Sequence, residues 1–162
     1  MTISFCPKCR QPLASQQRCP TCHLVCNADP ETYSEKLLAT IFSPDPTRVG
    51  MAIDVLIEWL HDQRAVIPLL ILLQSPVDAY RLVIAARGLG RLQNPVAVPR
   101  LIDLLHDAQS PFVARIAAAQ ALGRLGGGQA LEALRQALSD PRPSVAKAAS
   151  QALRQIENGN GV

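Results

Sequence analysis

Aromatic residues are scarce in this chain of 162 residues: they make up 4% of it, whereas hydrophobic residues make up 48%. The apolar content is therefore mostly Ala, Leu, Val and Ile, which favours closely packed helices over a β-sandwich. A long hydrophobic run is also missing, because the longest, Ala65 to Leu73, has nine residues and a membrane span needs roughly 20. The N-terminus shows no secretory signal. These absences predict a cytoplasmic protein without membrane insertion.

A strong excess of charge of one sign is absent too. Charged residues make up 18% of the chain and its formal net charge is +3, which is too weakly basic for a histone-like nucleic-acid binder. The charges are nevertheless uneven, because residues 29–63 carry seven acids and two bases, whereas residues 64–162 carry six acids and eleven bases. The change near residue 29 marks a predicted domain boundary.

Cysteine is confined to the N-terminal segment, since all five cysteines lie between positions 6 and 26. Such clustering favours metal ligands over a disulfide framework. Two C-x-x-C pairs, Cys6 with Cys9 and Cys19 with Cys22, can each present two thiolates to one tetrahedral ion. We therefore predict that these four cysteines bind one structural zinc ion, whose binding stabilises a small module of residues 1–28.

Other chemistry fits the same segment. Four thiolates can hold an iron–sulfur cluster, Cys19-x-x-Cys22-His23 matches the haem c attachment motif, and a C-x-x-C pair can act as a redox dithiol. Cys26 is left over, and it or His23 can replace Cys22 in an alternative ligand set. The module resembles the short zinc ribbons of many bacterial proteins, although Arg10 and His23 stand where glycine usually follows each pair.

The rest of the chain repeats. Residues 81–92, 114–125 and 145–156 align with offsets of 33 and 31 residues, and a period in this range indicates stacked repeats. A second apolar helical pattern and a turn marked by proline precede each block. These patterns lie at Val66 to Gln74, Val98 to Leu105 and Ala130 to Leu138. Each repeat is therefore predicted to contain a helix A, a turn and a helix B.

A degenerate helix pair precedes these repeats, and Thr47 is a candidate N-cap of its second helix. We therefore predict an all-α fold, a short α-solenoid of about three regular helix pairs plus one degenerate N-terminal pair. This repeat domain spans residues 29–157, follows the small zinc ribbon and is followed by a flexible tail at 158–162.

The block at residues 114–125 resembles the second helix of HEAT repeats, in the bacterial subtype named after phycobilisome lyases. The resemblance covers 65–157 well and 31–62 weakly. It implies an α-solenoid whose second helices line the concave surface. It does not imply lyase activity, because most proteins similar to this subtype are interaction scaffolds. HEAT-like iron hydroxylases carry repeated His-Glu pairs, and the sequence contains none.

Polar residues at equivalent positions of the B helices, with Arg154 beside them, form a candidate partner-binding surface. We call it the Arg/Gln ridge, and it consists of Arg87, Arg91, Gln120, Arg124, Gln151 and Arg154. Arginine suits the bidentate recognition of carboxylate or phosphate, whereas the chain has few aromatics on which bases could stack. A protein partner with an acidic surface is therefore favoured over nucleic acid. A solvated face without a partner is the alternative.

Catalytic spacings of the Ser/His/Asp or Cys/His kind are not recognisable in the sequence. We therefore predict that the chain is not an enzyme but a non-catalytic protein–protein interaction scaffold or adaptor. One alternative is a bilin-lyase-like or bilin-protein chaperone role, suggested by the repeat subtype. Another is a nucleic-acid-binding accessory protein that uses the zinc ribbon together with the ridge.

Overall fold

The computed structural model describes residues 4–5, 12–13, 30–74 and 78–159. The chain divides into two compact units, Met1–Lys36 and Leu37–Val162. In the first unit, strands β1 (Ser4–Phe5) and β2 (Pro12–Leu13) pair antiparallel. The domain boundary at residue 29 stays a prediction.

Helices make up nearly all of the remaining described chain. Their bounds are α1 (Pro30–Thr40), α2 (Pro46–Asp54), α3 (Val66–Gln74), α4 (Ala79–Leu92), α5 (Val98–His106), α6 (Phe112–Leu125), α7 (Gly128–Gln136) and α8 (Pro143–Gly159). A π-helical turn, Val55–Trp59, continues α2 directly. Helices α3/α4, α5/α6 and α7/α8 form three regular A/B pairs after the degenerate pair α1/α2, which confirms the all-α solenoid. No helix in the described ranges combines the length and the apolar character that a membrane span requires.

The turns before the B helices explain where these helices begin. Asp45 caps α2, because its side chain accepts hydrogen bonds from the backbone N–H groups of Thr47 at 2.9 Å and Arg48 at 3.5 Å. Pro46 then occupies the first turn, where a missing N–H costs little. Asp78 caps α4 in the same way. The prediction of Thr47 as the N-cap is therefore wrong: a carboxylate two residues earlier satisfies the free N–H groups.

Small residues bring the B helices α4, α6 and α8 into close contact. A Cβ atom added at Gly90 would lie 2.7 Å from the Cα of Ala121, and one added at Gly123 would lie 2.8 Å from the Cβ of Ala152. The glycines thus allow an approach that a side chain would prevent. The contacts recur at equivalent positions, so the three helices pack in one register.

A buried ion pair joins successive repeats on the C-terminal side. The Arg115 guanidinium pairs with the carboxylate of Asp140, and its Nε donates a hydrogen bond of 2.8 Å to the carbonyl oxygen of Leu105. Both charged side chains are 7% exposed. The pair therefore connects α6 to the end of α5 and to the turn before α8.

Candidate functional site

Helices α4 and α6 expose side chains at matching positions. Along α4 the exposed residues are Tyr80, Arg87 and Arg91, with spacings of seven and four. In α6 the same spacings separate Val113, Gln120 and Arg124, which are exposed as well. Spacings of seven and four keep side chains on one helical face. Because the helices pack in register, the two sets lie side by side on one surface.

The first B helix extends this surface. The Arg91 guanidinium of α4 lies 2.7 Å from the carboxylate of Glu58 and 3.5 Å from that of Asp54. These ion pairs place α2 and its π-helical turn beside α4. The surface across the four helices is called the B-helix face below. Its exposed residues are Met51, Asp54, Glu58, Tyr80, Arg87, Arg91, Val113, Gln120, Arg124, Ser144, Gln151 and Gln155.

Five members of the Arg/Gln ridge are exposed on this face: Arg87, Arg91, Gln120, Arg124 and Gln151. Within the ranges that the structure describes, Arg87 and Arg124 form no ion pair. Their guanidinium groups therefore keep hydrogen-bond donors for a carboxylate or phosphate from outside.

Arg91 and Arg154 lie in different surroundings from the other four. Arg91 is already paired with two carboxylates of the first B helix. Arg154 takes in α8 the position that Gly90 and Gly123 take in α4 and α6, so it lies on the side of α8 that faces away from α6. Its Nη2 lies 3.3 Å from the Ser150 hydroxyl.

Sequence reasoning missed the acidic and apolar parts of the face. A signal for the acids was present, because an offset of 33 residues relates Asp54 to Arg87 and Glu58 to Arg91. The first B helix lacks the Ala-rich core of the others, and this obscured the alignment. The exposed Met51 had no comparable signal, because an apolar residue in a helix is usually assigned to the core.

The predicted metal ligands Cys6, Cys9, Cys19 and Cys22 lie outside the described residues, and their assignment as ligands stays a prediction. Elsewhere, Asp103, His106 and Glu132 line a groove of about 570 Å³ between α5 and α7. Among the residues that the structure describes, however, no three His, Cys, Asp or Glu side chains are grouped so that they could hold a metal ion.

The chain is a helical-repeat protein, in which each A/B pair packs on the next through its B helix. The family model of HEAT repeats matches residues 68–154. This match covers more than half of the chain, which therefore belongs to the HEAT-repeat family.

Curated relatives include enzymes. Human deoxyhypusine hydroxylase is 39% identical over 69 residues, which cover 43% of this chain and 23% of the human protein. Deoxyhypusine hydroxylase-B of Oryza sativa subsp. japonica is 34% identical over 109 residues, which cover 64% of this chain and 36% of the rice protein. The chain thus matches between about a quarter and about a third of these proteins' length.

Two solved structures show the same repeat stacking. The structure of human deoxyhypusine hydroxylase in complex with glycerol superposes with a TM-score of 0.69 at 24% identity, covering 77% of this chain and 43% of that one. This similarity shows the fold. The complex of CpcE and CpcF of phycocyanin lyase from Nostoc sp. PCC7120 gives a TM-score of 0.52 at 26% identity, covering 77% and 65%. The predicted resemblance to the lyase-type repeat is consistent with this second structure.

The prediction of a non-catalytic scaffold that is not an enzyme is wrong against these comparisons. The curated relatives, which are 34–39% identical, are named as hydroxylases. The prediction relied on the lack of a recognisable catalytic spacing. In a solenoid this is weak evidence, because residues from several repeats, far apart in sequence, can be brought together on one face.

The prediction of a structural zinc ion is corrected as well. The named relatives are hydroxylases, and the described residues contain no metal-binding group. Four cysteines predict that the ligands are thiolates, but they do not identify the metal, because several metals bind thiolates. Nor do the residues fit the iron centre of HEAT-like hydroxylases, because the sequence has no His-Glu pair.

Proposed function

We propose that this chain recognises an acidic protein through its B-helix face and acts as the substrate-binding part of a protein-modifying enzyme. The observation that carries the proposal is the matched exposure of Arg87, Gln120 and Arg124 on two helices packed in register. The helices hold the backbone of these residues in fixed positions. An acidic segment would therefore meet donors whose spacing is set before it binds.

The chemistry of the exposed residues supports a protein partner. Arg87 and Arg124 offer forked donors that match a carboxylate in geometry. Gln120 lies between them in sequence position and adds an uncharged donor and acceptor. Tyr80 is the one exposed aromatic of α4, and a single ring gives little area for stacking bases.

The relatives support the enzymatic part of the proposal. The HEAT-repeat proteins reported above are named as a hydroxylase and as components of a lyase. In our proposal the described residues provide recognition of the protein substrate, and the reacting groups lie elsewhere in the enzyme. We place this function in the cytoplasm.

Binding of the full chain to fluorescent poly-L-glutamate, measured by anisotropy, tests the proposal. R87Q/R124Q should weaken binding about tenfold. R100Q/R135Q is the matched control, since it removes the same charge from exposed residues of the A helices α5 and α7, and it should stay within about twofold. Equal losses in both variants, or tighter binding of duplex DNA than of poly-L-glutamate, would contradict an acidic protein partner.

The enzymatic part needs its own measurement. The test uses a protein that binds the wild-type chain but not R87Q/R124Q. When this protein is incubated with the chain and an extract of the source cells, its intact mass should change. Replacing the wild-type chain by R87Q/R124Q should abolish the change. An unchanged mass with the wild-type chain would contradict a role in modification.

A second candidate function is a role like that of the phycocyanin-lyase components, favoured by the structural match over 77% of this chain. It predicts that the chain binds a bilin. A titration of free bilin with the full chain should then shift the absorbance of the pigment, and an unchanged spectrum would remove this candidate.

A further inference from the structure

The B-helix face carries two bands of different chemistry. The first, here called the charged band, consists of Asp54, Glu58, Arg87, Arg91, Gln120 and Arg124. The second, the apolar band, consists of Met51, Tyr80 and Val113, whose side chains are 65%, 51% and 39% exposed. Exposed apolar residues that lie side by side on a regular surface mark an interaction site more often than scattered ones do.

Two contacts show that the bands are continuous across the first two B helices. The Tyr80 hydroxyl lies against Gly50, because a Cβ at Gly50 would be 3.0 Å from the phenol oxygen. Tyr80 of α4 therefore reaches α2 at Gly50, the residue before Met51. In the charged band, Arg91 of α4 reaches Glu58 at 2.7 Å.

The strip between the bands is low where it crosses α4, α6 and α8, whereas in α2 the equivalent position, 33 residues before Ile84, is occupied by the exposed Met51. The low part is formed by Ile84, which is half-buried, and by Ala117 and Ala148, which are buried. These residues occupy equivalent positions of α4, α6 and α8, four residues after the start of the face in each helix. A partner can therefore approach the strip closely while its side chains reach the band on either side.

The distance between the bands matches the width of an α-helix. Tyr80 and Arg87 are seven residues apart in α4, which corresponds to about 10 Å along the helix axis. An α-helix with its side chains is about 10–12 Å wide. An extended strand occupies only about 4.8 Å in a sheet and would cover one band.

We infer that the acidic partner presents an amphipathic α-helix that lies across α2, α4 and α6. This inference rests on the proposed function and names the shape of the segment recognised. The apolar side of the partner helix packs on Met51, Tyr80 and Val113, while its acidic side pairs with Arg87 and Arg124. Neighbouring helices pack about 8–10 Å apart, so the apolar and acidic residues of the partner recur about every five to seven positions.

The charged band also sets the direction of the partner. At its α2 end, Asp54 and Glu58 repel an acidic side chain, whereas at α4 and α6 the arginines attract one. The partner helix therefore carries a basic or neutral residue at the end that lies over α2. The specificity is thus for a helix with an apolar side and an unevenly charged side.

A designed peptide of about 21 residues provides the probe. It has Leu and Glu at heptad spacing and Lys at one end, and a scrambled peptide of the same composition is its control. We expect the designed peptide to bind the full chain about tenfold more tightly than the scrambled one. It should also gain helical circular dichroism when it binds.

Two double variants separate this inference from the proposed function. M51Q/Y80Q should weaken binding of the designed peptide about tenfold and leave poly-L-glutamate within about twofold. The matched control is I67Q/V96Q, which changes exposed apolar residues outside the B helices and should have no effect on either ligand.

The possible failures are distinguishable. Equal affinity for designed and scrambled peptides, unchanged binding by M51Q/Y80Q, or binding without a gain of helix would overturn the amphipathic helix but not the acidic partner. Failure of poly-L-glutamate to bind, while the designed peptide binds through Met51 and Tyr80, would overturn the acidic partner instead.

Discussion

The first B helix and the two that follow occupy equivalent places in their repeats, but they expose opposite charges. Helix α2 with its π-helical turn presents Asp54 and Glu58, whereas α4 presents Arg87 and Arg91 at the corresponding positions. The packed sides are alike in being apolar and buried. The comparison teaches that packing determines where a position lies, while the exposed residue there is free to vary and determines what the position binds.

At each end of the stack an arginine side chain joins neighbouring repeats, and we call each of these contacts a clamp. The two clamps use different partners. On the C-terminal side Arg115 pairs with Asp140 in a buried site. On the N-terminal side Arg81 of α4 donates hydrogen bonds of 2.8 Å and 2.6 Å to the carbonyl oxygens of Ser43 and Pro44. Arg81 also lies 3.5 Å from the carboxylate of Asp78 and its side chain is 16% exposed, so this contact combines backbone carbonyls with an ion pair at a less buried place than that of Arg115.

Breaking the buried clamp should have the largest effect. Asp140→Ala leaves the Arg115 guanidinium buried without its counter-ion, which should lower the free energy of unfolding by about 3–5 kcal/mol. Urea denaturation measures this loss. Arg81→Ala, the comparison at the less buried clamp, should cost about 1.5–3 kcal/mol. Equal costs at the two clamps would show that burial does not distinguish them.

A cavity inside the regular stack should have a somewhat smaller effect. Leu122 is fully buried between repeats, so Leu122→Ala should cost about 2–5 kcal/mol through lost burial and the cavity left behind. Thermal melts measure this cost. Leu138→Ala, which removes an exposed leucine, is the control. A cost near zero for Leu122→Ala would mean that the repeats do not depend on this contact.

Removing an acid from the first B helix should sharpen the charge comparison. Glu58→Gln frees the Arg91 guanidinium from its shorter ion pair of 2.7 Å. Because exposed ion pairs contribute about 0–1 kcal/mol, stability should change little. Binding of poly-L-glutamate should instead tighten by about twofold to fivefold. Glu132→Gln on the A helix α7 is the control. An equal gain in affinity in this variant would mean that the effect comes from the net charge alone.

The smallest expected effect concerns the turn between α5 and α6. The Ser110 hydroxyl, at 2.6 Å, and the Gln109 backbone N–H donate hydrogen bonds to Asp107 and lower the pKa of its carboxyl below the usual value. The stabilisation by these bonds is therefore present at neutral pH and is lost as the pH falls through the lowered pKa. Melting temperatures of wild type and Asp107→Asn should differ slightly at pH 7 and converge in acid. A difference that persists below pH 2 would contradict this.

Much of the fold could be predicted from the sequence, because the repeated apolar positions are local. The predicted range Val66–Gln74 agrees with α3, and the helix predicted to end at Leu105 ends one residue later, at His106. The capping by Asp45 was missed, because the choice between neighbouring polar residues depends on the geometry of the turn.

The candidate site could be predicted only in part. The exposure of Arg87 and Arg124 follows from the helical period, since they lie on the side of α4 and α6 opposite the buried Leu89 and Leu122. The pairing of Arg91 with Glu58 does not, because it joins residues of different repeats and depends on how far a helix with a π-helical turn is displaced along its neighbour. The apolar band was missed because an apolar residue in a helix is usually assigned to the core.

The glycines at the B-helix contacts have a mechanical consequence. Where backbones touch, as at Gly90 with Ala121 and Gly123 with Ala152, the two helices cannot move closer, and moving apart would leave a void on both sides. The B-helix layer should therefore resist compression and stretching. Bending of the solenoid would then be taken up by the A helices, and the spacing between Arg87 and Arg124 would stay constant while the outer layer fluctuates.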